Sequence, residues 1–177
     1  SGLVIWISGL AGSGKSTISK ELYNIIKQEI PNVVYLDGDG FREIFSSNKF
    51  DKDSRIEVAY NRANLCNLLS QQGIVVIAST ISLFNEVYEH NRNIFKNYLE
   101  VYIQCSMEEL IKRDQKGLYT GAIEGKIKDV VGVDIKYDTP NPNIIIDNNI
   151  QDNIDLKSNQ IFEYIKILQR GYCPPKY

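Results

Sequence analysis

Short apolar runs alternate along this chain with longer segments in which apolar residues recur at helical spacing. The runs at residues 3–7 and 74–78 are almost wholly apolar, as expected of strands that are covered on both faces. Alternation of such runs with helical segments is typical of βαβ units around a parallel sheet, and we therefore predict a three-layer α/β fold. The other predicted strands are 33–36, 99–104 and 144–146, and the predicted helices are 15–29, 54–72, 84–96, 107–114 and 154–168.

One stretch interrupts this pattern. Between residues 116 and 138 the apolar period disappears, and glycines recur at positions 117, 121, 125 and 132. Few apolar anchors and several glycines are typical of a mobile loop, so we predict a lid over about residues 116–138. Because no segment has the composition of a linker and no internal repeat is present, the sequence predicts one domain over residues 1–177.

Composition and charge exclude several classes of protein. The 177 residues are 43% hydrophobic and 24% charged, as in one globular domain. A net charge of −2 argues against a protein that coats nucleic acid or an anionic membrane. No apolar run approaches the ~20 residues of a membrane span, and the three cysteines form no disulfide-like pattern. We expect a cytoplasmic protein with neither nucleic acid nor membrane as a partner.

The strongest motif lies between the first predicted strand and the first predicted helix. Residues 9–16 read GLAGSGKS and fit the pattern G-x-x-x-x-G-K-[ST]. Glycines let successive backbone N–H groups point inward at an anion, and the helix directs its positive end at the same place. Lys15 supplies a charge for the β- and γ-phosphates, and Ser16 can ligate Mg²⁺. The residues predicted to bind the nucleoside triphosphate are Gly9, Gly12, Ser13, Gly14, Lys15, Ser16 and Thr17.

Two carboxylates, Asp37 and Asp39, follow the second predicted strand. The carboxyl ends of neighbouring parallel strands face one crevice, where a carboxylate can accept a proton from a hydroxyl or orient hydrated Mg²⁺. A solvated Asp-Gly turn is the alternative. Residues 78–82, after the third strand, lack the carboxylate that a motor-type ATPase places there, and no Asn-Lys-x-Asp segment is present to read guanine. The pattern favours a small-molecule kinase.

Several segments resemble the adenylylsulfate (APS) kinases. Residues 36–42 (LDGDGFR) resemble LDGDxxR, residues 50–55 resemble F-x-x-x-x-R, and residues 113–119 (RDQKGLY) match R-D-x-K-G-L-Y. The matches run in order from about residue 3 to residue 146. The resemblance implies a P-loop kinase that uses ATP and Mg²⁺. It would transfer the γ-phosphate to the ribose 3′-hydroxyl of a small nucleotide-like acceptor.

The resemblance also implies roles for single residues. Asp39 would be the acid–base or magnesium-orienting carboxylate, supported by Asp37, and Ser82 would lie at the acceptor; with Lys15 they form the predicted catalytic set. The implied acceptor-binding residues are Asp39, Arg42, Phe50, Arg55, Ile81, Ser82, Lys116, Gly117 and Leu118. Arg113 and Lys116 would cover the ATP, and Ser16 and Asp39 would hold the metal.

The acceptor side departs from the family pattern. Where the family has an Asn and two arginines after the position of Arg55, an ungapped count gives Val58, Tyr60 and Asn61, with Arg62 displaced by one residue. Fewer cations should weaken binding of a sulfate or phosphate group. Tyrosine or asparagine oxygens could instead accept a hydrogen bond from a phosphoramidate. We therefore predict weaker use of adenylylsulfate than is usual in the family, and better use of a cytidine diphosphate derivative.

Three functions stay open. The family ranks an adenylylsulfate kinase of sulfate assimilation first. A variant that phosphorylates cytidine diphosphoramidate, for phosphoramidate decoration of bacterial capsules, follows closely. A non-catalytic ATP-sensing module is disfavoured, because a sensor needs neither the carboxylates Asp37 and Asp39 nor a lid carrying Lys116. A homodimer is also left open.

Overall fold

A parallel sheet forms the centre of the molecule. The computed structural model describes residues 2–45 and 48–170, so residues 171–177 of the predicted domain lie outside it. Five strands lie in the order β2-β3-β1-β4-β5, and every neighbouring pair is parallel. The strands are β1 (Leu3–Ser8), β2 (Val33–Leu36), β3 (Val75–Thr80), β4 (Tyr98–Gln104) and β5 (Ile144–Asp147). The predicted α/β architecture is confirmed.

Helices connect the strands and cover both faces of the sheet. They are α1 (Lys15–Glu29), α2 (Gly38–Ile44), α3 (Lys52–Gln71), α4 (Asn85–Ile94), α5 (Met107–Arg113), α6 (Leu118–Ile123) and α7 (Ile154–Gln169), with a 3₁₀ turn at Gln115–Gly117. Helices α2 and α6 were not predicted. None of the helices described here is long and apolar enough to cross a membrane.

The two faces of the sheet bury separate apolar clusters. On one face α1 packs against α7, and Ile18, Leu22 and Ile161 are completely buried. On the other face Trp6 of β1 and Phe84 are buried among residues of α3, α4 and α6. A strand that is covered on both faces consists almost wholly of apolar residues, so apolar runs in the sequence predicted the positions of these strands.

Helix α2 begins where the sequence suggested the end of a strand and a turn. Asp37 caps it, because its Oδ1 accepts from the backbone N–H groups of Asp39 at 2.8 Å and Gly40 at 3.3 Å. Glycine lowers helix stability by about 1 kcal/mol relative to alanine, and an Asp cap contributes a similar amount. The cap therefore offsets much of the cost of a glycine, and the first turn of α2 presents Asp39 at the sheet edge.

The predicted lid is anchored more firmly than its sequence indicates. Tyr119 is completely buried, and its hydroxyl donates to the carbonyl of Ala11 at 2.6 Å. Three more apolar residues join the core near its other end, namely Val130, Val131 and Ile135. The expectation of few apolar anchors is wrong, because these residues are buried one by one without a regular period. The longest continuous exposed run in the predicted lid is residues 123–128.

Candidate active site

The phosphate loop, residues 9–14, joins β1 to α1 at the carboxyl edge of the sheet. Gly12 and Gly14 have φ angles of 82° and 94°, in the left-handed region that glycine adopts without strain. A Cβ on Gly14 would lie 2.3 Å from Nδ2 of Asn148, which is too close for any side chain. Both the conformation of this loop and its contact with Asn148 therefore require the glycines.

Two side chains outside the loop hold it in place. Asn148 is completely buried after β5, and its Nδ2 donates to the carbonyl of Ser13 at 2.6 Å. Arg113 donates to the carbonyls of Gly12 at 3.1 Å and Asn148 at 2.6 Å, and pairs with Glu109 at 3.2 Å. The guanidinium of Arg113 thus lies behind the loop and positions it, while a direct contact with ATP stays a prediction. Asn148 was missed by the sequence analysis.

Two features of the loop fit an anionic ligand. The hydroxyl of Ser13 is buried and has no hydrogen-bond partner among the described residues. Burial is the main cause that lowers the pKa of Lys15 to about 8; Asp39 opposes it, and Arg62 and Arg55 act in the same direction as burial. A desolvated ammonium near other cations is stabilised when an anion arrives. These residues therefore suit the phosphates of a nucleoside triphosphate.

The loop opens onto a cleft of about 470 Å³. Ligand pockets typically enclose about 300–1,000 Å³, so a nucleotide is of suitable size. The predicted site residues that line the cleft are Gly12, Lys15, Ser16, Asp37, Asp39, Arg42, Phe50, Arg55, Ile81, Ser82, Lys116 and Leu118. Those that do not line it are Gly9, Ser13, Gly14, Thr17, Arg113 and Gly117.

The carboxylates of Asp37 and Asp39 differ in what they contact. Asp37 accepts from backbone N–H groups as the cap of α2. Asp39 is exposed in the cleft, and within the described part of the chain its carboxylate makes no hydrogen bond or ion pair. Its negative charge opposes the lowering of the pKa of both Lys15 and Arg42. Asp39 is therefore available for proton transfer or metal binding, and Asp37 shapes the helix that presents it.

The residues predicted to hold Mg²⁺ fit that ion only together with phosphate. Within residues 2–45 and 48–170, no group of three or more His, Cys, Asp or Glu side chains could hold a metal. Ser16 and Asp39 instead offer one hydroxyl and one carboxylate to the same cleft. Mg²⁺ prefers one or two protein oxygens with phosphate oxygens and water, so this sparse set is appropriate.

Phe50 forms a platform at the acceptor side of the cleft. The guanidinium of Arg42 lies 4.4 Å from its ring centroid, and that of Arg55 lies 5.4 Å away. Arg55 also donates to the carbonyls of Phe50 at 2.6 Å and Asp129 at 2.8 Å. The ring remains 45% exposed and can therefore stack on a base while the arginines keep it in position.

Ser82 is oriented by a hydrogen-bonded chain at the end of β3. Oγ1 of Thr80 accepts from Nη1 of Arg62 at 2.8 Å and from the backbone N–H of Ser82 at 3.2 Å. Both lone pairs of the Thr80 oxygen are thereby used, so its hydrogen must be donated to Oγ of Ser82, with which it also makes contact. The hydroxyl hydrogen of Ser82 is left to donate into the cleft.

The residues that depart from the family pattern lie elsewhere than predicted. Val58 is buried in the core, the ring of Tyr60 packs against that of His90 with their centroids 4.4 Å apart, and Asn61 is exposed on α3. None of these three lines the cleft, so the prediction that Tyr60 or Asn61 accepts from the substrate is wrong. Arg62, which the count treated as displaced, lies in the cleft instead. Its role was missed because each step along a helix turns the side chain by about 100°.

Comparison with known proteins agrees with this geometry. The profile of the Adenylylsulphate kinase family matches residues 1–147. The chain is 47% identical over 164 residues to the cytidine diphosphoramidate kinase of Campylobacter jejuni, covering 93% of this chain and 96% of that protein. It is 41% identical over 171 residues to the adenylyl-sulfate kinase of Thermodesulfovibrio yellowstonii, covering 92% and 83%.

A solved structure extends the match to three dimensions. The Mycobacterium tuberculosis APS kinase CysC, in complex with AMPPNP and APS, superposes with a TM-score of 0.85 at 26% identity. The match covers 93% of this chain and 98% of that one. From the matched profile, the relatives and the shared fold, the chain belongs to the adenylylsulphate kinase family.

Proposed function

We propose that this kinase transfers the γ-phosphate of ATP to the ribose 3′-hydroxyl of a cytidine diphosphate derivative, with cytidine diphosphoramidate as the first candidate. The observation that carries the proposal is the position of Asp39. Its carboxylate, which bonds to none of the described residues, lies in one cleft with Lys15 of the phosphate loop and the arginines that flank Phe50. Such a carboxylate is required where a hydroxyl must lose a proton beside a triphosphate.

Each group in the cleft has a task in this reaction. The 3′-hydroxyl oxygen forms a bond to the γ-phosphorus while the bond from that phosphorus to the β–γ bridging oxygen breaks, and ADP leaves. The hydroxyl proton passes to Asp39. Lys15 and the loop N–H groups stabilise charge on the phosphate oxygens. Ser16 and Asp39 would hold Mg²⁺, which would supply positive charge to the phosphate oxygens.

The choice of cytidine rests on the relative from C. jejuni. Identity of 47% over almost the whole length of both chains exceeds the 41% shared with the adenylyl-sulfate kinase compared above. The cleft is compatible with this acceptor, because Phe50 offers a stacking face and Arg42 and Arg55 favour a diphosphate. The hydrogen bonds from Tyr60 and Asn61 that the sequence suggested no longer support it.

Adenylylsulfate is the second candidate. The LDGDxxR and R-D-x-K-G-L-Y segments of the family are retained at residues 36–42 and 113–119. A base stacked on Phe50 is held through its π-face, which every base has, so this contact alone does not select cytosine over adenine. The acceptor must therefore be identified by assay.

The test is a coupled assay for ADP release with saturating MgATP and four acceptors: cytidine diphosphoramidate, cytidine diphosphate, adenylylsulfate and the 3′-deoxy form of cytidine diphosphate. We expect the highest kcat/KM with cytidine diphosphoramidate and none with the 3′-deoxy control. Preference for adenylylsulfate would replace the first candidate by the second. ADP release that no acceptor stimulates would overturn the kinase proposal and favour an ATP sensor.

A further inference from the structure

Arg62 is a cation that is buried on α3 at the edge of the cleft. Its side chain lies on α3 beneath the acceptor side of the cleft, and the residue is only 3% exposed. Among the residues that the structure describes, no carboxylate lies within ion-pairing distance of its guanidinium. Arginine is almost never fully buried unless it is paired, so the missing anion needs an explanation.

The described residues also use only part of the hydrogen-bonding capacity of the Arg62 guanidinium. Of its five N–H donors, one bonds to Thr80, and the buried Nε has no partner in the described chain. The guanidinium also lies 4.7 Å from the ring centroid of Phe41, a contact that contributes far less than an ion pair. Burial lowers the pKa of Arg62 to about 10; the positive charge of Arg42 acts in the same direction, and Cys66 and Asp37 act against it. A neighbouring cation makes the missing anion more costly still.

The surroundings of Arg62 place the missing anion on the acceptor side. Arg62 contacts Phe41 of α2 and Thr80 at the end of β3, and both of these elements contribute residues to the lining of the cleft. Through Thr80 it also contacts Ser82, whose hydroxyl lines the cleft and is left with a hydrogen to donate. Arg62 and Ser82 therefore present donors to the same region, as recognition of phosphoryl oxygens requires.

We infer that Arg62 binds an anionic oxygen of the acceptor nucleotide, and that the acceptor supplies a counter-charge that none of the described residues provides at ion-pairing distance. The inference rests on the proposed function in that it needs an anionic acceptor. Arg62 stands one residue after the places where the family carries its arginines, so the resemblance assigns it no role. Arg62 would thus supply, from a different position on α3, a positive charge in place of the two arginines that the family carries where this chain has Tyr60 and Asn61.

The inference is tested by calorimetry on the complete chain with AMPPNP and Mg²⁺ present. Dissociation constants are measured for two anionic nucleotides, cytidine diphosphate and adenylylsulfate, and for the corresponding nucleosides, cytidine and adenosine. The ratio of the dissociation constant of each nucleoside to that of its nucleotide measures how much the anionic group contributes to binding. Arg62→Gln, Arg62→Met and Arg62→Lys are compared with wild type, and Arg170→Gln, at an exposed arginine at the end of α7, is the matched control.

We expect Arg62→Gln and Arg62→Met to reduce the preference for the nucleotide about 10- to 100-fold, as loss of a buried charge contact does. Affinities for the nucleosides and for AMPPNP should change less than threefold, and Arg62→Lys should retain part of the preference. Without ligand, the glutamine and methionine variants should melt at the same or a higher temperature than wild type, since an unpaired buried charge is removed. A purely structural arginine would lower it.

An unchanged preference in both neutral variants would overturn the inference, as would a loss confined to AMPPNP, which would assign Arg62 to the triphosphate. A wild type that binds neither nucleotide better than its nucleoside would overturn it too. Preference for adenylylsulfate over cytidine diphosphate would contradict the proposed acceptor alone. The role of Arg62 would then still be decided by the adenylylsulfate pair.

Discussion

The two sides of the cleft differ in how completely the protein satisfies its own polar groups. On the phosphate-loop side, Asn148, Arg113 and Tyr119 bond to loop carbonyls from three separate segments of the chain. On the acceptor side, the carboxylate of Asp39 and the guanidinium of Arg62 have no charged partner among the described residues. Two large apolar side chains that line the cleft, Phe50 and Ile127, are also partly exposed.

This difference indicates which ligand each side requires. The loop is organised before ATP arrives, so phosphate binding needs little rearrangement. On the acceptor side Arg62 forms no ion pair with a described residue, and an anionic acceptor would supply its counter-charge. Binding of the acceptor would therefore complete this side of the site. A kinase benefits from such a division, because an acceptor side that is complete without the acceptor would allow water to attack ATP.

The largest expected effect concerns Asp39. If its carboxylate accepts the hydroxyl proton or orients the magnesium shell, Asp39→Asn should lower kcat roughly 10²- to 10⁴-fold with little change in stability. Asp37→Asn is the matched control. Since asparagine also caps helices well, that variant should retain most of its activity. Equal losses in the two variants, measured by ADP release, would refute the separation of their roles.

Lys15→Ala should lower kcat/KM about 10²- to 10³-fold while leaving the fold intact, because one preorganised group on the transferred phosphate is lost. The lowered pKa adds a pH test. With a pKa of about 8 in the free enzyme, Lys15 is an ammonium at lower pH and loses its charge as the pH rises through that value. Affinity for MgATP should therefore fall above pH 8, by at most about tenfold per pH unit.

Calorimetric titration with MgATP between pH 7 and 9.5 measures this dependence. The Lys15→Ala variant is its control, since it has no ammonium to lose and its weaker affinity should be nearly independent of pH. A wild-type affinity that stays constant across this range would contradict the role of Lys15 as a phosphate-binding cation.

The scaffold behind the loop gives a smaller effect, on stability. Arg113→Gln removes charge-assisted bonds to buried carbonyls and should lower the free energy of unfolding by about 2–3 kcal/mol. It should weaken MgATP binding and leave the acceptor KM unchanged. Lys112→Gln, on the same helix with a side chain 68% exposed, should cost less than about 0.5 kcal/mol. Urea unfolding of both variants decides whether Arg113 is a scaffold residue.

Local patterns predicted most of the fold, for reasons that particular elements make clear. Helix α1 lies at the predicted residues 15–29, since a phosphate-loop motif marks its start and Pro31 lies just beyond its end. Helix α2 was missed because two glycines in its first turn suggest a turn, and only the hydrogen bonds of Asp37 reveal the cap. Buried single residues such as Tyr119 also escaped, since they form no period.

The sequence predicted those residues of the candidate site that belong to motifs. Lys15, Asp39 and Arg42 lie in segments with fixed spacing, and all three line the cleft. Asn148 contacts the loop from 135 residues away in sequence, and no local pattern encodes such a contact. The position of Arg62 was judged wrongly because an ungapped count compares positions along the chain. Whether a residue of α3 lines the cleft depends instead on the helix face on which it lies.

Native-state hydrogen exchange tests the contrast between the two sides most directly, in three samples: free enzyme, enzyme with AMPPNP and Mg²⁺, and the same complex with cytidine diphosphate. We predict that backbone amides of the phosphate loop, α5 and residues 118–122 are protected in the free enzyme. Those of α2 and the exposed residues 123–128 should exchange rapidly until the acceptor nucleotide is added. Strong protection of α2 and residues 123–128 in the free enzyme, or protection of the phosphate loop only after AMPPNP binds, would contradict the account.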